Sequence, residues 1–148
     1  MNLFDEGAKM KKYTGKTATA IIPFPDNKIL LIKRNTPPFV GYWGLPGGRM
    51  EPGETIEQTI VRECKEETGL DVEVVTKIGE YVEKGIEDEI DYEYYPTCFV
   101  VKRVGGELKR QESEIQDIQL FQIGNLPFPL AFEHDKMVAD YLKARIKT

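Results

Sequence analysis

The sequence predicts a single α/β domain, and three observations carry that expectation. β-Branched and aliphatic runs at residues 17–22 and 29–34 flank a turn, residues 56–68 form a helix-length stretch free of Gly and Pro, and apolar residues recur at helical spacing near the C-terminus. A chain of 148 residues is long enough to bury one real core and leaves no room for a second catalytic domain.

Residues 1–16 carry no clear periodicity and are expected to form a loose lead-in, with the domain proper spanning 17–148. Thr17 to Ile22 and Ile29 to Arg34 then read as two strands. Between them, Pro23-Phe-Pro-Asp-Asn-Lys28 has the proline and Asp-Asn chemistry of a turn. Asn35-Thr-Pro-Pro38 breaks the chain, Gly41 to Leu45 is short and aromatic, and Pro46-Gly-Gly48 forces another turn. Thr55 with Gln58 matches a capping box, so a helix runs over Ile56 to Thr68 and stops at Gly69. Val72 to Val82 and Tyr92 to Val104 read as longer strands, joined by the acidic connector Glu83 to Asp91, whose expected state is a solvated hairpin end. A short strand near Asp117 to Ile123 and the break Asn125 to Pro129 follow. Met137, Val138, Tyr141, Leu142 and Ile146 then mark an amphipathic helix packed on the sheet.

Net charge of -5 and a pI near 5.1 argue against a general affinity for the nucleic-acid backbone. Cys64 and Cys98 lie far apart and form no CxxC pair, so neither a disulfide framework nor a zinc site is supported, and a reducing, cytoplasmic setting fits. No apolar run approaches the length of a membrane span, and the N-terminus lacks the apolar region of a secretion signal.

The segment Gly48 to Leu70 sets Glu51, Glu54, Glu57, Glu63, Glu66 and Glu67 against only Arg49, Arg62 and Lys65. Ile56, Ile60 and Cys64 define the buried stripe of its helix. Glu63, Glu66 and Glu67 project from adjacent turns, and Glu67, seven residues beyond Ile60, falls almost on the apolar stripe. A carboxylate there suits neither a solvated face nor a core. A hard divalent cation such as Mg²⁺ or Mn²⁺ resolves both problems, because it takes oxygen ligands and supplies the opposite charge.

The same segment reads Gly48, five residues, Glu54, seven residues, Arg62-Glu63-Cys64-Lys65-Glu66-Glu67-Thr68-Gly69-Leu70. It resembles the full Nudix box, GX5EX7REUXEEXGU, of the Nudix (MutT-like) pyrophosphohydrolases, with Cys64 where the family usually has a larger aliphatic residue. Leu45-Pro-Gly-Gly48 and Gln119 to Pro127 resemble the family's approach to the box and its late strand and Leu-Pro turn. The resemblance implies an α/β/α sandwich around a mixed β-sheet and a metal-dependent enzyme that cleaves the pyrophosphate bond of a nucleoside diphosphate linked to another moiety.

Carried over residue by residue, the resemblance implies that Glu63 and Glu67 bind metal and that Glu66 is a further ligand or the general base. Glu54 would pair with Arg62 or join a second metal through water. The Gly47 carbonyl would complete the coordination, unless Gly47 and Gly48 serve only the turn. Gly48 and Arg34 are the expected substrate contacts, with a merely solvated Arg34 as the other reading. Glu114 is expected as an additional carboxylate ligand, with Glu112 as its fallback. The expected partner is a small nucleotide, ADP-ribose or a nucleoside triphosphate, with no nucleic acid and no membrane; the chain could pair as a homodimer. Subgroup markers downstream of the box are missing, so the substrate stays open. Phe39, Tyr42 and Trp43 are read as core rather than as base-stacking groups, and His134 as a helix-start or packing residue. The rival reading is a non-catalytic nucleotide-sensing module, which usually loses box carboxylates that this chain keeps.

Overall fold

A computed structural model describes residues 10–110 and 113–146. Its first sheet is built on the long parallel pairing of β1 (Lys11–Ile21) with β8 (Ile90–Gly106), in register from Lys11 opposite Ile90 to Ile21 opposite Val100. β5 (Gly47–Arg49) lies antiparallel on the free edge of β1, with Gly47 opposite Thr19 and Gly48 opposite Ala18. The other edge of β8 is shared end to end by β7 (Glu83–Glu87) and β6 (Leu70–Glu80), both antiparallel. In the second sheet β3 (Lys28–Arg34) pairs with β9 (Ile115–Gln122) along its length, and with β2 (Pro23–Phe24) and β4 (Trp43–Gly44) at its two ends.

Two helices enclose these sheets. α1 (Ile56–Thr68) has the capping box: the Gln58 N–H donates to the Thr55 hydroxyl, and the Gln58 side chain accepts from the Thr55 N–H. Gly69 ends it at φ 77°, a left-handed conformation that costs an L-residue about 1–2 kcal/mol. Ile60 and Cys64 are fully buried against Ala18, Ala20, Ile22 and Phe99. α2 (His134–Ile146) buries Met137, Val138 and Tyr141 on the opposite side, against Ile21, Ile29, Leu31 and Cys98. The alternation along β1, with Ala18 and Ala20 toward α1 and Thr19 and Ile21 toward α2, is the period-two pattern that lets one strand serve two cores. The architecture is therefore the α/β/α sandwich. Both cysteines are free and buried, and among the described residues no helix is long and apolar enough to cross a membrane.

Three boundaries differ from expectation. β1 starts at Lys11, six residues inside the stretch read as a loose lead-in, because pairing with residues 90–95 of β8 organises a segment with little hydrophobic signal of its own. The acidic connector contains β7, turned into β8 through Asp88 and Glu89 at φ 52° and 62°. Far from being solvated, its first residue, Glu83, is 3% exposed. The paired strands β6 and β8 also run two residues further at their outer ends, from Leu70 and to Gly106.

Candidate active site

One turn of α1 and the strand β5 create the site. Glu63 and Glu67 leave adjacent turns of α1 toward the backbone of Gly47 and Gly48. The Gly47 N–H donates to Glu67 Oε1 at 2.8 Å. The Glu63 carboxylate lies against Gly48 so closely that a Cβ there would stand 2.4 Å from its Cδ. Glycine at position 48 is thus the clearance that lets a carboxylate sit on the strand.

Arg62 organises the other side. Its Nε and Nη2 donate to the two Glu54 oxygens at 2.7 and 3.0 Å, Nη1 donates to Glu63 at 2.9 Å and to Glu66 at 3.1 Å, and Nη2 also reaches the Arg49 carbonyl at 2.9 Å. Glu54 further accepts from the Glu51 N–H and the Thr59 hydroxyl. These donors, Arg62 first, hold its carboxyl down to about 2. The alternative of a Glu54–Arg62 pair is the arrangement seen.

The electrostatics of the two inner glutamates run the opposite way. Burial pushes Glu63 up to about 7, against the pull of Arg62, with the charges of Glu66 and Glu114 adding to the rise. Burial likewise raises Glu67 well above the usual carboxylate range, with the charge of Glu63 next and only the Gly47 N–H and Arg34 opposing. Glu67 is 6% exposed and, among the described residues, takes no hydrogen bond except that from Gly47. The buried Glu67, with its single donor, and the partly buried Glu63, bonded by Arg62, thus present two carboxyl groups to one cavity whose charge a cation would complement.

That cavity has a volume of about 380 Å³, within the usual range for small-molecule sites. Glu63, Glu67 and Glu114 line it together with Arg34, Tyr94, Glu83, Phe132 and His134. Arg34 is not a solvated strand end: its Nε donates to the Pro38 carbonyl at 2.9 Å, Nη2 donates to the Thr36 carbonyl at 3.2 Å, and the guanidinium lies 4.9 Å from the Phe132 ring centroid. Burial lowers its pKa while Glu67, Tyr94 and Glu83 raise it. His134 begins α2 and accepts the Leu45 N–H on Nδ1 at 3.0 Å. Burial pushes its pKa down to about 3.

The structure therefore brings Glu63, Glu67, Glu114, Gly47, Gly48 and Arg34 to one cavity. Glu66 is turned outward onto Arg62, its side chain 47% exposed. Among the described residues no three His, Cys, Asp or Glu side chains already form a closed ligand cluster. Glu112 lies outside the described residues. Trp43 packs edge-on against Phe121, while Phe39 packs against Tyr92 and Phe132, so these aromatics belong to packed clusters. The sequence reading missed Glu83 and Tyr94 as cavity residues. Their positions on opposite strands of one hairpin, Glu83 opposite Tyr94, are set by the β7–β8 register.

The family model described as NUDIX domain matches residues 14–141. The ADP-ribose pyrophosphatase of Methanocaldococcus jannaschii is 42% identical over 118 residues, which cover 80% of this chain and 68% of that protein. Among solved structures, the MutT NUDIX hydrolase from Burkholderia pseudomallei matches with a TM-score of 0.78 and 26% identity, over 86% of this chain and 97% of that one. An ADP-ribose pyrophosphatase from Streptococcus suis 89-1591 matches with a TM-score of 0.64 and 27% identity, over 88% and 90%.

Proposed function

Because this chain belongs to the NUDIX family of hydrolases, we propose that it cleaves the diphosphate bond of a nucleoside diphosphate linked to another moiety, ADP-ribose before a nucleoside triphosphate, with Mg²⁺ or Mn²⁺ as cofactor. The observation that carries this reading is Glu67, a buried carboxylate beside Glu63 with a single N–H donor, facing a ligand-sized cavity. The 42% identical ADP-ribose pyrophosphatase supports the choice of substrate.

Glu63 and Glu67 are the residues that would hold the cation, with Glu114, the Gly47 carbonyl and Glu66 as further oxygen donors. A divalent cation bound there neutralises diphosphate oxygens and acidifies water. Arg62 keeps Glu63 aimed at the cavity by holding it against Gly48, and Glu54 in turn fixes Arg62. Arg34 brings positive charge to the same cavity, where it meets the anionic diphosphate. The proton lost by the attacking water needs a carboxylate not already engaged. Glu114 has no side-chain hydrogen bond among the described residues, whereas Glu66 must first release Arg62.

The test is phosphate release, in the presence of phosphatase or pyrophosphatase, from ADP-ribose, sugar nucleotides, dinucleoside polyphosphates and nucleoside triphosphates, with and without Mg²⁺ or Mn²⁺. Metal-dependent cleavage with ADP-ribose foremost is expected. Tight nucleotide binding by folded protein with no turnover in the panel would overturn the enzyme reading in favour of a nucleotide-sensing module.

A further inference from the structure

The part of the cavity around Glu83 is polar and underused. Glu83 Oε2 accepts the Glu133 N–H at 3.1 Å, and Oε1 has no hydrogen bond among the described residues. Burying a carboxylate to 3% exposure with one donor is costly unless a ligand completes its bonding. Three more groups there hold capacity in reserve. The Tyr94 hydroxyl, opposite Glu83 across the strand pair, has no hydrogen-bond partner among the described residues. Nη1 of Arg34 has none either, since the two bonds of that side chain use Nε and Nη2. In His134 the Leu45 N–H occupies Nδ1, which puts the ring proton on Nε2, the nitrogen 3.9 Å from Glu83 Oε2.

An acceptor, two donors and a hydroxyl around one space match a group whose own hydroxyls both donate and accept. They match a flat base less well, because several aromatic rings nearby are engaged with one another or with Arg34. Arg34 lies over Phe132, Phe39 and Tyr92 pack on the same ring, and Tyr94 stacks with Tyr92. A further phosphate would meet the Glu83 carboxylate.

We propose that Glu83, Tyr94, Arg34 and His134 form a sugar subsite that takes a ribose 5-phosphate unit of the substrate, with Glu83 as its specificity-determining residue. The phosphate of that unit lies toward Arg34, whose field reaches both Glu83 and Glu67. The subsite rests on the reading of the protein as a diphosphate hydrolase. Two sources share this chemistry, the ribose of the nucleoside and the ribose on the other phosphate.

The experiment measures ADP-ribose hydrolysis by wild type, Glu83→Gln and Tyr94→Phe, with AMP and ribose 5-phosphate as competing products, and records melting temperatures alongside. Glu83→Gln keeps the shape and the acceptor for Glu133, and replacing the unpaired acceptor oxygen by an NH2 donor should raise KM about tenfold or more while kcat stays within about threefold. Tyr94→Phe should give a smaller rise, and it carries the test if Glu83→Gln does not fold. The inhibition constant of one product should rise in parallel: ribose 5-phosphate if the outer ribose sits there, AMP if the nucleoside does. Unchanged KM and inhibition constants in both folded variants would overturn the subsite. If wild type cleaves no diphosphate, the enzyme reading fails separately. Calorimetric titration of ribose 5-phosphate and AMP into wild type and Glu83→Gln then decides the subsite alone, weaker binding in the variant supporting it and equal or absent binding overturning it.

Discussion

The Glu67 carboxyl group of α1 accepts the backbone N–H of Gly47 at 2.8 Å, so the helix and the edge strand β5 meet through a buried ionisable group. Glu67→Gln keeps the shape and an acceptor for that N–H but removes the negative charge. Turnover of the preferred diphosphate should fall by two or more orders of magnitude, and Glu63→Gln should do the same. Neither change should destabilise the metal-free protein, because burial and the neighbouring carboxylate already disfavour the ionised form that each substitution removes. Near-normal turnover in both variants would remove the metal-site assignment.

Gly47 and Gly48 separate two roles that adjoining glycines usually confuse. A Cβ at Gly48 would collide with the Glu63 carboxylate, a movable side chain, whereas a Cβ at Gly47 would stand 2.1 Å from the Ala18 carbonyl in the neighbouring strand. Gly48→Ala should therefore fold with a modestly lowered melting temperature and lose activity about tenfold or more. Gly47→Ala should lose about 2 kcal/mol or more of stability in urea unfolding, because backbone cannot move aside without breaking the β1–β5 pairing. Equal stability of the two variants would show that this clearance argument is wrong.

What the sequence disclosed depended on how local the cause was. The cap at Thr55, the stop at Gly69 and the inward register of Glu67 are properties of one helix, and each was legible from spacing. β7 was not, because a Glu-rich stretch lacks strand propensity and its Asp88-Glu89 turn lacks the usual glycine. Its place comes from pairing with β8. Glu83 was hidden for the same reason: strand parity along β7 buries it while leaving Ile86 60% exposed, the reverse of what hydropathy implies. The sign available in advance was only the alternation itself.

Arg62 is the third testable relationship. It spans Glu54, Glu63 and Glu66, three acids that no single lysine ammonium can serve with the same planar geometry. Arg62→Lys should keep the fold, lower the melting temperature, and reduce turnover at least about tenfold by letting Glu63 drift from Gly48. The sensitivity to acid should also change. Glu54 is held down to about 2 in the folded protein, so its contribution is present above the ordinary 4.5 and is lost as pH falls toward 2. Arg62→Lys should flatten that acid limb, and an unchanged limb would show that Arg62 is not its source.

The last prediction uses the opposed titrations of Glu83 and His134, which line the cavity side by side. Burial raises Glu83 from 4.5 to about 7, with the Glu133 N–H and Arg34 opposing and the Glu133 charge assisting. Between those values the folded protein binds a proton that the unfolded chain has lost, so stability falls as pH rises from about 4.5 through about 7. His134, lowered to about 3 from 6.5, has the reverse sign: stability falls as pH drops from 6.5 toward 3. The two slopes oppose each other over much of the same window, so the wild-type profile alone hides both. The difference between Glu83→Gln and wild type isolates the Glu83 slope. Relative to wild type, the variant should gain stability steadily from pH 5 to pH 7 and hold a constant difference above that, by up to ~3 kcal/mol for the full rise. Melting curves of both proteins at half-unit pH steps would show this directly. A difference that stays flat from pH 5 to pH 8 would mean that Glu83 titrates as an ordinary carboxylate despite its burial.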